Sequence, residues 1–288
     1  MITLFLLGLK GLNVLKSFNQ HQLEQIVAVV IGKDKNIIKD YSDEIESFCK
    51  ENNLNYFFRG SEVLIDNGFF ITIGWRWLIK TNSKVIVIHD SILPKYRGFA
   101  PLVAALINGD NFIGATALIA SDDYDRGDII EQISIEITYP IKIQTAIELI
   151  SNVYIKLIHS IFFKIQNNKL DFKIQDESEA SYSLWRNDED YFINWSWSAE
   201  KINRFINAVG FPYLGAKTYF ENEVVTISDS EIVEDVNIIN RDVGKVIFKD
   251  KYSLTIVCGE GLIKVSKIVN PIDGRIIDFT KKFRLKFK

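Results

Sequence analysis

His89 closes a run of β-branched residues, V-I-V-I-H (Val85 to His89), and Asp125 lies in the turn-forming string A-S-D-D-Y-D-R-G-D-I-I (Ala120 to Ile130). An imidazole titrates near neutrality and so suits the taking and returning of protons, while a carboxylate beside it orients the ring and favours its cationic form. A histidine at the carboxyl end of a strand stands where open α/β sheets place their ligands. Asp125 falls in a turn between two strands, an exposed and mobile location. His21, beside a predicted helix end, and His159, inside a long helix, have no comparable setting and are expected to be structural.

The elements that must position this pair read as an α/β sheet with parallel strands, because short aliphatic runs alternate with helical patterns. Expected strands are Thr3 to Leu7, Ile26 to Ile31, Phe69 to Gly74, Lys84 to His89, Ala115 to Ala120 and Ile129 to Ile137. Helices are expected over Leu12 to Phe18, Asp43 to Asn52 and Phe99 to Asn108. The Gly8-x-x-Gly11 string lacks the full dinucleotide fingerprint and reads as a glycine-permitted tight turn.

At 288 residues, 47% hydrophobic and 25% charged, the chain has a globular composition and room for two domains. A formal net charge of −3 supplies no overall basic field of the kind that drives nucleic-acid binding. Cys49 and Cys258 lie far apart and outside any C-x-x-C context, so neither a zinc site nor a disulfide framework is indicated, and a reducing cytoplasm fits best. The apolar N-terminus lacks the basic region and cleavage site of a signal peptide and reads as a first buried strand. Residues Ile141 to Ile165 carry Lys142, Glu148, Lys156, His159 and Lys164, too many charges for a membrane span, and read as a core helix.

After that helix the composition turns polar, and residues 176–190 are expected to link a first domain (1–175) to a second (191–288). The second opens on a helix that Ser198 could cap, and continues in short strands with regular turns, the pattern of a small β-barrel.

Two blocks, H-D-S-I-L-P-K-Y-R-G and D-Y-D-R-G-D, resemble the signature blocks of the formyltransferases that use 10-formyltetrahydrofolate. The second region is similar to the carboxy-terminal domain of the methionyl-tRNA members, an oligonucleotide-binding-like barrel, at I-N-W-S, F-P-Y-L-G-A (Phe211 to Ala216) and C-G-E-G-L-I-K-V (Cys258 to Val265). The resemblance implies a Rossmann-like N-terminal formyltransferase domain with a small C-terminal barrel. It implies His89 and Asp125 as catalytic groups, the histidine helping with the proton and the oxyanion and the aspartate orienting it. The family triad is Asn, His and Asp in the pattern N-x-H-x-S-x-L-P, and the Asn position is Val87 here. An isopropyl group donates no hydrogen bond, so protonated His89 or a backbone N–H of the Ser91 loop is expected to take over; a slow or lapsed enzyme is the other outcome.

The resemblance also implies a folate pocket lined by I-T-I-G-W-R-W-L-I, with Gly74, Trp75, Arg76 and Trp77 on one wall and Asp122, Asp123 and Tyr124 on the other. Trp75 and Trp77 suit the core equally well. On the acceptor side, Ser91, Tyr96 and Arg97 of the histidine loop are candidates. Trp185 and Arg186, in a stretch similar to bacterial sugar N-formyltransferases, could stack a base and pair a phosphate, or pack between domains. Residues from Tyr191 onward carry about +3 net, concentrated in the tail K-K-F-R-L-K-F-K, which is expected to be solvated or partly disordered. The expectation is therefore a cytoplasmic enzyme for a small amino sugar or nucleotide-sugar, with a nonulosonic acid precursor as a variant, no metal, no nucleic acid or membrane partner, and a homodimer left open. A methionyl-tRNA formyltransferase is the alternative.

Overall fold

The computed structural model describes residues 1–35, 37–61, 68–221, 223–280 and 282–288. The chain forms two compact units: residues 1–102, 111–137 and 145–185, and residues 103–110, 138–144 and 186–288. Its elements are β1 (Ile2–Leu6), α1 (Gly8–Ser17), α2 (Gln20–Leu23), β2 (Ile26–Ile31), α3 (Ser42–Glu51), β3 (Tyr56–Phe58), β4 (Phe69–Ile73) and β5 (Lys84–His89). There follow β6 (Arg97–Gly98), α4 (Pro101–Asn108), β7 (Phe112–Ile119), β8 (Ile129–Glu136), α5 (Ile143–Gln166) and β9 (Tyr182–Ser183). The last part holds α6 (Ala199–Ala208), β10 (Ala216–Phe220), β11 (Glu223–Val233), β12 (Val246–Lys249), β13 (Leu254–Val257) and β14 (Leu262–Val269).

The first unit is built on a seven-stranded sheet in the order β3-β2-β1-β4-β5-β7-β8. The strands from β3 to β5 run parallel, as the near-continuous aliphatic runs require for strands buried on both faces. The sequence reading of a parallel sheet is corrected at one edge: β7 pairs antiparallel with both β5 and β8. β7 returns after a short helix and β8 after a turn, so neither has the right-handed crossover that parallel pairing needs. The chain order reverses between β1 and β4, and β4 lies beside β5, whose carboxyl end carries His89.

The Gly8-x-x-Gly11 string is not a tight turn followed by a separate helix. Gly8, at φ +71, itself opens α1, and Gly11 lies inside that helix, where a Cβ would come within 3.0 Å of the Leu6 side chain. The glycine lets α1 lie close on β1. Helix α5 is long and apolar enough by composition to cross a membrane, but half of its apolar window is buried. Its Phe162 packs on Phe18 at 4.7 Å, and its Tyr154 hydroxyl reaches the Ile88 carbonyl at 2.9 Å. His159 takes a hydrogen bond from Gln22 at 2.8 Å on Nδ1 and faces Ser17 at 3.1 Å with Nε2, a structural role.

Residues 176–185, which composition assigns to a linker, pair within the first unit. β9 runs parallel to β6, and Arg97 and Phe99 donate their amides to the Ser181 and Ser183 carbonyls at 2.8 and 3.0 Å. Polar composition does not betray this pairing, because the contacts are backbone bonds and ion pairs rather than apolar burial.

The second unit carries an antiparallel sheet, β10-β11-β14-β13-β12. Ser198 caps α6 by accepting the Lys201 amide, as the sequence suggests. The basic tail is not a solvated end. Leu285 accepts from the Val246 amide at 3.0 Å, Phe287 donates to Gly244 at 2.8 Å, and Lys288 exchanges two backbone bonds with Tyr219. The tail thus bridges the β12 and β10 edges and closes the sheet. Its K-F-R-L-K-F-K alternation is a strand pattern: Leu285 and Phe287 are buried, while Lys286 pairs with Asp242 at 2.9 Å.

Candidate active site

His89 is the last residue of β5, and β-strand alternation puts it on the sheet face shared by Val87 and Val85. It is 7% exposed. Its Nε2 lies 2.8 Å from the Tyr96 carbonyl, an acceptor only, so the proton sits on Nε2. The other nitrogen, Nδ1, faces Asp125 Oδ1 at 3.5 Å. Both ring nitrogens therefore look at oxygens, an arrangement the imidazolium satisfies on both sides. Asp125 is anchored by the Gly98 amide, which donates to its Oδ2 at 2.8 Å, and its backbone is left-handed at φ +54. Aspartate tolerates that region better than most residues, and such strain gathers at functional sites.

The histidine loop is held from within. Ser91, buried, donates to the Lys95 carbonyl at 2.6 Å, and Thr116 on β7 donates to the Ser91 carbonyl at 2.7 Å. Tyr96 is half-buried at φ +58 and supplies the carbonyl that holds His89. Arg97, expected to meet the acceptor, is instead fully buried: its guanidinium donates to Gln175, Glu177 and Tyr182. A guanidinium removed from water needs all of those partners, so its role is inside the fold.

Val87 is the family triad's missing position. It pairs in register with Thr72 of β4 and Leu118 of β7, and it packs against the buried cluster of Leu93, Leu118 and Ile129. Its packing partners are apolar, while the side chain itself is half-buried.

Beyond His89 the chain places a second charged group that sequence reasoning missed. Asp90 is paired with Lys10 of α1 and bonded by the Tyr154 hydroxyl at 2.6 Å. Burial opposes ionisation of Asp90, but Lys10, Tyr154 and the neighbouring His89 outweigh it and hold the carboxyl below its ordinary range. Burial first, and then the Asp90 charge, push the Tyr154 hydroxyl well above its ordinary value. Asp90 was visible in the H-D dipeptide, but Lys10 and Tyr154 come from distant segments that carry no local signal.

The predicted folate wall follows β4. Gly74 has φ +67, and a Cβ there would meet the Leu7 carbonyl at 2.7 Å, so only glycine fits. Trp75 packs edge-on against Phe5 at 5.2 Å and against Trp77 at 4.9 Å; its indole N–H is buried with no partner among the described residues. Arg76 pairs with the buried Asp34, and the Arg59 guanidinium lies 4.4 Å from the Trp77 ring. A cleft of about 280 Å³ opens here, lined by Phe5, Trp75, Leu78 and Ile79 with Arg59 and Lys80 beside them. Apolar walls with flanking cations suit a flat heterocycle carrying carboxylates.

Asp122, Asp123 and Tyr124 lie in the exposed turn after β7, Asp123 pairing with Arg126 at 3.1 Å. The Tyr124 ring lies 6.1 Å from that of Phe99. Trp185, 62% exposed, ends the first unit, and Arg186, which begins the second, donates to the Asp190 carbonyl at 3.2 Å. Among the described residues no cluster of His, Cys, Asp and Glu could hold a metal ion.

Comparison with known proteins gives this geometry a context. The Formyl transferase family matches residues 13–151, and the formyl transferase C-terminal domain family matches residues 186–284. The methionyl-tRNA formyltransferase of Syntrophomonas wolfei is 32% identical over 203 residues, 69% of this chain and 64% of that protein. That of Thermodesulfovibrio yellowstonii is 33% identical over 198 residues, 69% of this chain and 61% of that protein. The chain thus spans less than two thirds of the length of these curated relatives.

Among solved structures, an N-formyltransferase from Helicobacter canadensis, in complex with folinic acid and dTDP-3-aminofucose, superposes with a TM-score of 0.70 at 16% identity. It covers 93% of this chain and 98% of that one. WlaRD, a sugar 3N-formyl transferase in the presence of dTDP and 5-N-formyl-THF, gives 0.66 at 23% identity, covering 93% and 97%. Both of these show a shared fold. With a family match in each of the two units and the signature loops meeting at His89 and Asp125, the chain belongs to the formyl transferase family.

Proposed function

We propose that the protein transfers a formyl group from 10-formyltetrahydrofolate to the amino group of a nucleotide-linked amino sugar destined for a surface glycan, a nonulosonic acid precursor being a variant of the same chemistry. The observation that carries the chemistry is the facing of His89 Nδ1 and Asp125 Oδ1 across 3.5 Å at the carboxyl end of β5. The donor supplies an activated formyl carbon, and the amine that attacks it must lose a proton that finally rides out on the leaving tetrahydrofolate nitrogen. His89 and Asp125 manage that proton, the carboxylate stabilising the ring while it is charged. Val87 cannot donate, and with Nε2 bonded to the Tyr96 carbonyl and Nδ1 facing Asp125, His89 must release one of these partners to donate to the oxyanion. The cleft beside Trp75, with its unpaired indole N–H, supports a folate heterocycle there.

For the acceptor, the two sugar N-formyltransferase structures superpose on 93% of this chain at TM-scores of 0.66 and 0.70, whereas a methionyl-tRNA formyltransferase from Clostridium thermocellum superposes on 72% of it at 0.52. The net charge of −3 and the use of the basic tail as a closing strand also disfavour an RNA footprint. The runner-up, a methionyl-tRNA formyltransferase, is favoured by the 32–33% identities. Incubating the protein with the formyl donor and either a panel of nucleotide-linked amino sugars or charged initiator tRNA decides between them. Formylated sugar is expected; formylated tRNA alone would reverse the assignment.

A further inference from the structure

We propose that Gln175 is a positioning residue for the transfer, acting through Asp125 and held by the buried Arg97. The inference rests on the formyl-transfer reading above. Gln175 is 6% exposed, and both ends of its amide are engaged. Nε2 donates to the carbonyls of Asp125 and Gly127 at 2.8 and 2.7 Å, while Oε1 accepts from Arg97 Nε and Nη2 at 3.1 and 2.8 Å.

This arrangement pins Asp125 from two sides. Gln175 takes its carbonyl, and the Gly98 amide takes Oδ2, so Oδ1 is left to face His89. The left-handed backbone of Asp125 is unfavourable by itself and persists only where its surroundings over-determine it. The turn is also tight: a Cβ at Gly127 would overlap the Ile119 carbonyl at 1.7 Å.

Arg97 also adjoins the residue that holds the histidine. It follows Tyr96, whose carbonyl holds His89 Nε2, so the residue that fixes Gln175 is the chain neighbour of the one that fixes His89. Glu177 balances the guanidinium, bonding Arg97 Nη2 at 2.7 Å and Arg126 at 2.8 Å.

The test compares Gln175→Glu, which keeps acceptors for Arg97 but loses the donor to the turn, with Gln175→Met, which removes both at similar volume. Thermal melts identify the folded variants, and whichever folds is assayed alone and in an Asp125→Asn background. We expect kcat to fall by roughly tenfold or more with both KM values within about threefold, because misplacement of a catalytic group costs rate rather than binding. In the Asp125→Asn background the same substitution should cost nothing further. Hydrogen exchange at the Gly98 amide should quicken in the Gln175 variant.

A kcat within about twofold of wild type, or a loss that multiplies with that of Asp125→Asn, would overturn the assignment. If the wild-type protein formylates no amine at all, the functional reading fails instead. The Gly98 exchange rate then decides for Gln175: quickening supports the clamp, and no change rules it out.

Discussion

At the scale of single residues, the proposed chemistry rests on His89 and Asp125, and the question they raise sits two residues upstream. The spelling of their loops singles both out in the sequence, and the structure brings them to 3.5 Å. What was not legible is how the loops are held. Gln175 reaches Asp125 across 50 residues, and Lys10 reaches Asp90 across 80, so neither has a local pattern. Arg97 was read as substrate-facing from its place in the loop, but it is buried among Gln175, Glu177 and Tyr182. Val87 is half-buried and packs against Leu93, Leu118 and Ile129. Restoring the family residue with Val87→Asn should not raise turnover, and should destabilise the fold by about 1–3 kcal/mol through an amide set against apolar neighbours. Denaturant unfolding and a single-turnover rate measure both; a faster, equally stable variant would show the position to be a vacated donor site.

At the scale of elements, the parallel core of the sheet was readable from its aliphatic runs, whereas β3, β6 and β9, at three, two and two residues, are too short to stand out. The 171–185 segment matters most, because it straps the histidine loop and carries Gln175 and Glu177. Hydrogen bonds from Arg97, and then from Arg126, pull the Glu177 carboxyl from 4.5 down to about 2. A carboxyl held below its unfolded value stabilises the fold fully above that value, and the benefit fades as pH falls towards about 2. Glu177→Gln should therefore lower Tm at neutral pH, and the gap from wild type should shrink steadily below about pH 4.5. A gap independent of pH would remove the ion pairs from the account. After β4, Gly74→Ala should cost about 1–3 kcal/mol and weaken donor binding, since the left-handed turn and the Leu7 carbonyl leave no space for a methyl group. Thermal unfolding and titration with folinic acid would check it.

At the scale of the whole molecule, the chain clusters into two units, with one family pattern over residues 13–151 and a second over 186–284. The chain does not divide at one point, since residues 103–110 and 138–144 cluster with the second unit. The tail was misread because its charge is more conspicuous than its alternation. Phe287 is 1% exposed and stacks on Phe220 at 4.9 Å, so Phe287→Ala should destabilise the second unit by about 3–5 kcal/mol, as a large aromatic lost from a core does. A melt unchanged within about 1 kcal/mol would mean that the tail does not close the sheet. The most direct measurement of the central claim is single-turnover formyl transfer from 10-formyltetrahydrofolate to a nucleotide-linked amino sugar by the wild type, His89→Ala and Asp125→Asn. Transfer by the wild type and a loss of roughly a hundredfold or more in each folded variant is the predicted result. Rates surviving within a few-fold in either variant would contradict it.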